Sequence, residues 1–335
     1  MRIVLLLLVA ATGPAWAQLE PKEADFVVKA FHFSDGRTLA EAKLHFRTLG
    51  TPAGNNAVLI LHGSGGTGKQ FVSESFSTIF GPGELLDASK YFIILPDGIG
   101  HGGSSKPSDG LKLDFPHYGY GDMVTLQYRL VTEGLGLRHL RLVMGTSMGG
   151  MQTWMWGERY PEFMDALMPL ASEPVQISGR NRFFRRMMID PLRENPERGL
   201  RTALYVLMIM TTSPLQLQKE APTRDQADKL FYETLAKRTA AANSFDFLYQ
   251  MEASNDYDPA PLLEKIRAPL LAVNSADDQV NPPELGDMER EIKRVPRGRY
   301  VLIPISSETR GHGTHSLPKV WGKYLAELLQ ESNSQ

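Results

Sequence analysis

The chain has 335 residues, 42% hydrophobic and 22% charged, with 36 Lys+Arg against 38 Asp+Glu. Ordinary globular composition of this kind excludes wholesale disorder, collagen-like repeats and coiled coil, and a chain of about 300 residues buries roughly 75% of its unfolded surface without staples. A formal net charge of −2 offers no basic excess for nucleic acid, and the lack of cysteine excludes disulfides, thiol catalysis and thiolate metal sites.

Residues 1–17 read as an address. Arg2 supplies a positive start, the run 3–11 is apolar, and Ala15-Trp16-Ala17 is a small-x-small cleavage site before Gln18. The apolar run is far shorter than the roughly 20 residues of a spanning helix, so no stable membrane anchor is expected. The expectation is export, periplasmic or secreted, with cleavage near Ala17-Gln18. Such compartments hold little ATP, acyl-CoA or NAD(P)H, and enzymes there work mostly with water.

From there, short apolar runs alternate with helical stretches. Segment 26–47 alternates polar with apolar residues and suits an antiparallel hairpin at a sheet edge. Ala57-Val58-Leu59-Ile60-Leu61 reads as a buried strand, followed by Tyr91-Phe92-Ile93-Ile94-Leu95 and Leu140-Arg141-Leu142-Val143-Met144. Leu167-Met168-Pro169-Leu170-Ala171, Pro269-Leu270-Leu271-Ala272-Val273 and Tyr300-Val301-Leu302-Ile303-Pro304 complete the set, while 123–133 and 148–159 have helical period. The fold class expected is α/β, a mostly parallel sheet with helices on both faces. Residues 175–255 are helical in composition and hold no clear strand. They read as a helical cap inserted into one core made of 18–174 and 256–335, with only the 330–335 tail frayed.

The strongest local signal is Gly145-Thr146-Ser147-Met148-Gly149-Gly150, directly after a strand and opening a helix. A nucleophile on a sharp strand-to-helix turn needs small neighbours, and the glycines two before and two after Ser147 meet that need. A serine hydroxyl needs a base, and the base an orienting carboxylate, in the chain order Ser, Asp/Glu, His. The strand ending at Val273 runs into Asp277-Asp278-Gln279-Val280-Asn281-Pro282, and the last strand into Gly311-His312-Gly313-Thr314-His315. Asp278 is favoured over Asp277 because it stands four before Pro282; His312 is favoured over His315 because it follows Gly311 in the loop. Donors for a developing oxyanion are expected at the Met148 backbone N–H and, in the loop His62-Gly63-Ser64-Gly65-Gly66, at Ser64, with Gly65 the near alternative.

Four other motifs are weaker. Gly63-Ser64-Gly65-Gly66-Thr67-Gly68-Lys69 matches a phosphate loop, but Gln70 stands where Ser or Thr should hold Mg²⁺. The eight histidines are scattered, and His312-x-x-His315 has no third ligand nearby, so neither metal nor cofactor is expected. Asp97-Gly98-Ile99-Gly100-His101-Gly102-Gly103-Ser104-Ser105 could serve as a ligand loop but reads better as a glycine-rich turn bordering the site. Met187, Met188, Met208 and Met210 read as cap core before pocket lining.

The chain resembles the α/β-hydrolase fold superfamily over essentially its whole mature length, and within it is similar to the homoserine O-acetyltransferase-like branch. The residues that carry this are Thr48-Leu49-Gly50 before Asn56-Ala57-Val58-Leu59, Asp122-Met123-Val124 with Gln127, and Gly145-Thr146-Ser147-Met148-Gly149-Gly150-Met151-Gln152 followed by Arg159-Tyr160-Pro161-Glu162. Ala241-Ala242-Asn243-Ser244-Phe245 and Asp256-Tyr257-Asp258 also match. The resemblance implies an acyl-enzyme on Ser147, with His312 as base and Asp278 as its orienter. It also implies acetyl-CoA and cap arginines after a Gly-Leu pair, whereas here Gly199-Leu200-Arg201 is followed by no arginine until Arg224. That departure and the leader favour water as acceptor: an exported serine hydrolase of carboxylic esters acting on a small molecule. The alternatives are an O-acyltransferase of the homoserine type and a non-catalytic binding protein on the same fold.

Overall fold

The apolar runs form one eight-stranded sheet in a computed structural model that describes residues 20–333; the leader segment 1–17 lies outside them. The strands are β1 (Lys22–His32), β2 (Thr38–Leu49), β3 (Ala57–Leu61), β4 (Phe92–Pro96), β5 (Leu142–Thr146), β6 (Leu167–Leu170), β7 (Leu270–Ser275) and β8 (Gly298–Ile303). Their spatial order is β1-β2-β4-β3-β5-β6-β7-β8. The first two pair antiparallel and β2 runs antiparallel to β4, while every later pairing is parallel. The expected fold class and edge hairpin are therefore the observed ones.

Successive strand residues point to opposite faces, and both faces are covered, which is why the inner strands read as unbroken apolar runs. Leu59, Leu61, Ile94 and Val143 face one core with Met123, Trp154 and Trp156. Val58, Ile60, Ile93, Leu142 and Met144 face the other, with Phe71, Phe76, Phe80 and Trp321. Each large side chain fully buried in this way is worth about 1.5–3 kcal/mol relative to exposure.

The helices are α1 (Glu74–Ser77), α2 (Tyr120–Arg129), α3 (Met148–Arg159), α4 (Gly179–Glu194), α5 (Pro196–Met210), α6 (Pro214–Glu220), α7 (Arg224–Ala241), α8 (Ser244–Glu252), α9 (Asp287–Glu291) and α10 (Pro318–Ser332). Helix α2 starts earlier than its period suggests. The Asp256 carboxylate accepts the Tyr120 and Gly121 amides at 2.8 and 2.7 Å, and Asp122 accepts that of Gly119. Carboxylates on the orphan amides of a first turn also meet the positive end of the helix dipole. The 330–335 tail is not frayed throughout, since α10 continues to Ser332. Helices α4 to α8 lie between β6 and β7, within the stretch 175–255. The α5–α6 junction packs on the loop after β8, where Gly311 meets Thr212 and Ser213, and Gln216 donates to Ser307 O at 2.9 Å. Met188 and Met210 are buried there, but Met187 points outward at 57% exposure.

Candidate active site

Strand β5 ends at Thr146 and α3 begins at Met148, which leaves Ser147 alone on the turn with φ 55° and ψ −113°. A non-glycine residue in this region is strained by roughly 1–3 kcal/mol and persists only where its surroundings over-determine it. The surroundings here do. The Ser147 amide donates to Leu170 O at 2.8 Å. A Cβ on Gly145 would stand 2.2 Å from the Gly149 carbonyl, and one on Gly149 would stand 2.1 Å from Leu61 O. Only glycine fits at either place.

Loops after β7 and β8 meet this turn at the carboxyl edge of the sheet. His312 Nδ1 lies 2.8 Å from Asp278 Oδ2, and His312 Nε2 lies 2.8 Å from Ser147 Oγ. Burial pushes the Asp278 carboxyl up, but His312 and the bonds from Val280 N and Asn281 Nδ2 outweigh it and hold the group below its usual range. An ionised Asp278 accepts a hydrogen bond from His312 Nδ1–H, so Nε2 carries the free lone pair that accepts from Ser147 O–H. Asp277, the neighbouring candidate, does not reach the imidazole. It accepts from Ser275 Oγ at 2.5 Å, Thr309 Oγ1 at 3.0 Å and the Gly311 amide at 2.9 Å, which fixes the backbone next to His312. His315 is enclosed, and burial first, then the neighbouring His312, push its pKa down to about 3. Its Nδ1 faces Ser316 Oγ and its carbonyl takes Trp321 Nε1–H.

The glycine-rich loop after β3 lies against the same turn, with the place of a Gly63 Cβ only 3.4 Å from Ser147 Cβ. Buried His62 orients it. Its Nε2 accepts from the Gly98 amide at 2.9 Å, so the ring proton sits on Nδ1 and is donated to Gly63 O at 2.8 Å. Burial, the largest influence on His62, lowers its pKa and keeps it in this neutral form. The Gly66 amide also donates to Gly63 O, at 3.0 Å. In a trans peptide the C=O and N–H point opposite ways, so two donors holding Gly63 O inward turn the Ser64 N–H outward. The Met148 N–H is one of the orphan donors of the first turn of α3.

This constellation can exchange a proton between a hydroxyl and an imidazole and present amides to an anion, as acyl transfer requires. The model of the alpha/beta hydrolase fold matches residues 56–306. The chain belongs to the α/β hydrolase fold family. It is 29% identical over 290 residues to a probable acyltransferase of Methanothermobacter thermautotrophicus, covering 83% of this chain and 89% of the relative. It is likewise 29% identical over 326 residues to the homoserine O-acetyltransferase of Pelobacter propionicus, covering 83% and 87%. Among solved structures, an acetylester hydrolase from Corynebacterium glutamicum superposes with a TM-score of 0.80 at 22% identity, covering 94% of this chain and 97% of that one. Members of this family with such names are enzymes, hydrolases or acyltransferases, and this α/β hydrolase shares their frame.

The remaining motifs resolve differently in this α/β hydrolase. The phosphate-loop-like segment is folded around an internal carboxylate: Asp97 accepts from Gly68 N, Gly103 N and Arg47 Nη1 at 2.8–2.9 Å. Gln70 donates to Thr146 Oγ1. Among the described residues no group of three or more His, Asp or Glu is placed to hold a metal ion, and no helix is long and apolar enough to cross a membrane. A polar depression of about 850 Å³, lined by Asn56, His139, Arg141 and Arg297, lies at the amino ends of the strands, away from Ser147.

Sequence reasoning missed two groups near the site. Glu173, three residues past β6, has an enclosed Oε2 with no partner, and burial first, then nearby carboxylates, push it up to about 8. Its signal was an acid directly behind an apolar strand. Arg185 sits at a position whose period matches the buried Met188, Ile189 and Leu192. An arginine on an apolar stripe is a readable signal.

Proposed function

We propose that Ser147 carries an acyl group through a covalent intermediate and passes it to a hydroxyl acceptor, which makes the chain a serine O-acyltransferase. The observation behind this is the pair of 2.8 Å contacts joining Asp278, His312 and Ser147 on the strained turn. Ser147 Oγ attacks the carbonyl carbon of an acyl donor as its proton passes to His312 Nε2, and Asp278 stabilises the imidazolium. The tetrahedral oxyanion takes the Ser64 and Met148 N–H groups, each such donor being worth about 10²–10³ in rate. The intermediate collapses, the bond to the leaving oxygen or sulfur breaks, and His312 returns its proton to that atom. The acceptor hydroxyl then repeats the sequence in reverse and frees Ser147. Curated relatives named acyltransferase and homoserine O-acetyltransferase, with most of each chain aligned, support the hydroxyl acceptor.

A second reading keeps every step and replaces the acceptor with water. The sequence favours it at one place: no arginine follows Gly199-Leu200-Arg201 until Arg224. Expected export of residues 18–335 past a cleaved leader also favours it; N-terminal sequencing of the protein from cell fractions expects Gln18 first, and an intact chain kept in the cytosol refutes it.

The test is product partition. The protein is given a short acyl ester with and without hydroxyl acceptors, homoserine and glycerol among them, and both transacylated product and free acid are quantified. Transacylation that overtakes hydrolysis as acceptor rises supports the first reading, and free acid alone at every acceptor concentration selects the second. Ser147→Ala is expected to abolish both products and labelling by a fluorophosphonate; undiminished turnover in that variant removes both readings.

A further inference from the structure

We infer that Asn281 is a positioning residue for acyl transfer: its side-chain amide aims the Asp278 carboxylate at His312 and shares the oxygen that the imidazole uses. The inference rests on the acyl-enzyme reading for Ser147. Asn281 follows Asp278 by three residues in the loop after β7, and both are buried, at 1% exposure each. Asp278 Oδ1 accepts from the Val280 and Asn281 backbone amides at 2.7 and 3.3 Å. Its Oδ2 accepts from His312 Nδ1 at 2.8 Å and from Asn281 Nδ2 at 3.0 Å. The last torsion of an aspartate is soft. Backbone donors restrain one oxygen and the Asn281 side chain restrains the other, so the plane of the carboxylate is fixed from both ends.

The second observation is that stability alone does not select asparagine here. Asn281 Oδ1 is enclosed and has no partner. An orphaned buried carbonyl costs free energy that an apolar side chain avoids. Turning the amide over offers no relief, because Oδ1 would then face the Asp278 carboxylate, which only accepts. What the buried amide supplies is one Nδ2–H bond, and that bond ends on the oxygen that orients the imidazole.

The same bond sets how much of the Asp278 charge reaches the ring. As Ser147 attacks, the ring becomes an imidazolium that Oδ2 stabilises. A neutral donor on Oδ2 draws part of that charge away and keeps the ring a ready base at mildly acid pH. Without it the carboxylate bonds the imidazolium alone, and the ring holds its proton to higher pH. The other charged and titratable groups around the pair stay as they are. Asp277 bonds Thr309 and the Gly311 amide, His315 stands with its ring 5.2 Å from that of His312, and Glu173 bonds Asn274 with Asp287 and Glu289 beyond it. Tyr300 lies on the Asp278 side, Arg180 of α4 donates to Gln279 O, and Arg310 turns away to Gln216 and Glu220. Among the described residues none of these bonds the Asn281 side chain.

Asn281→Leu and Asn281→Ala both remove the donor, one with bulk in its place and one without. In each, kcat/KM for a short p-nitrophenyl ester is expected to fall by about tenfold or more. The acid limb of its pH profile, which reports the base, is expected to move to higher pH by about half a unit. Thermal melts should stay cooperative. An acid limb that is unmoved or moves down, or kcat/KM within twofold of native in both variants, overturns the inference. Loss of folding in both variants also overturns it, by assigning Asn281 to stability.

The low-field proton resonance of His312 Nδ1–H, identified by its loss in His312→Gln, gives a readout without turnover. Followed against pH in Ser147→Ala, its titration is expected to move to higher pH when Asn281→Leu is added. A moved resonance in a protein that a fluorophosphonate never labels at Ser147 sinks the acyl-enzyme reading alone. Labelling and turnover with an unmoved limb and an unmoved resonance sink the role of Asn281 alone.

Discussion

Replacing Glu173 with glutamine should stabilise the protein in a way that depends on pH. The Glu173 carboxyl lies between the β6 and β7 ends, with Oε1 accepting from Asn274 Nδ2 at 3.2 Å and Oε2 enclosed without a partner. Burial, reinforced by Asp287, Asp278 and Glu289, raises it from 4.5 to about 8. The unfolded chain releases this proton near pH 4.5, whereas the folded chain keeps it until about pH 8. The group's contribution is therefore fully present below pH 4.5 and is lost as pH rises through the folded value. At about 1.4 kcal/mol per pKa unit, the loss reaches about 3 kcal/mol at pH 7. That figure is a ceiling, because the residue as a whole is only half-buried and solvent screens part of the charge. Glu173→Gln keeps the shape and the carbonyl acceptor for Asn274 but cannot ionise. Urea denaturation of both proteins at pH 4.5, 6, 7 and 8 should give a gain near zero at the lowest value, growing up to about 3 kcal/mol at pH 7. Other groups titrate alike in both proteins and cancel in the difference. A gain that does not change with pH, or a loss at pH 7, refutes the reasoning.

Four further substitutions probe the neighbouring elements. Asp278→Asn should lower kcat by about 10⁴, since an amide favours the wrong tautomer of His312; Asp277→Asn should cost less activity but about 1–3 kcal/mol of stability, because amide hydrogens would face the donors that now bond to it. Steady-state kinetics beside thermal melts separate the two, and equal loss of kcat in both variants contradicts these roles. His62→Ala removes one of the two donors that hold Gly63 O and leaves the Gly98 amide without its acceptor, so kcat should fall, by up to about 10²–10³ if the Ser64 donor loses its aim entirely; unchanged kcat in the folded variant removes His62 from that task. Arg47→Met strands buried Asp97 after loss of the 2.8 Å contact, and about 3–5 kcal/mol should disappear from the urea unfolding free energy.

What the sequence made legible is what depends on neighbours along the chain. Inner strands stand out because both of their faces are covered, and Ser147 because its glycines at 145 and 149 have no space for a Cβ. Ser147, Asp278 and His312 each follow the carboxyl end of a strand in one parallel array, which brings their loops to one sheet edge. Long-range partners are what stayed hidden. The start of α2 is set by Asp256, 136 residues beyond Tyr120. The phosphate-loop pattern, already broken at Gln70, also hides a distant partner: Asp97, 29 residues past Gly68, takes the Gly68 amide. Arg185 was readable only in part: helical period places it on the buried stripe, but its acceptors Met251 O and Ser254 Oγ lie 66 and 69 residues further on. The contacts of the α5–α6 junction with the loop after β8 are likewise long-range, Gln216 reaching Ser307 O 91 residues further on.

The two adjacent acids in the loop after β7 show how little freedom the imidazole has. Neighbouring residues in an extended turn point in different directions, so one pair of acids can serve two targets. Asp278 reaches the His312 ring, while Asp277 reaches the Gly311 amide and the Thr309 hydroxyl and so holds the backbone that carries the ring. Ring and backbone are thus fixed from two adjacent residues of the loop after β7, an inner strand of the sheet. On its other side Gly311, with φ 60°, packs on the Thr212 and Ser213 backbone at the α5–α6 junction. A substitution at residue 311 would strain the turn and press on the cap together. The α5–α6 junction and the loop that carries His312 consequently support each other, and on the proposed mechanism variants of that junction should move KM and kcat together, which steady-state kinetics on Thr212 and Ser213 substitutions can check.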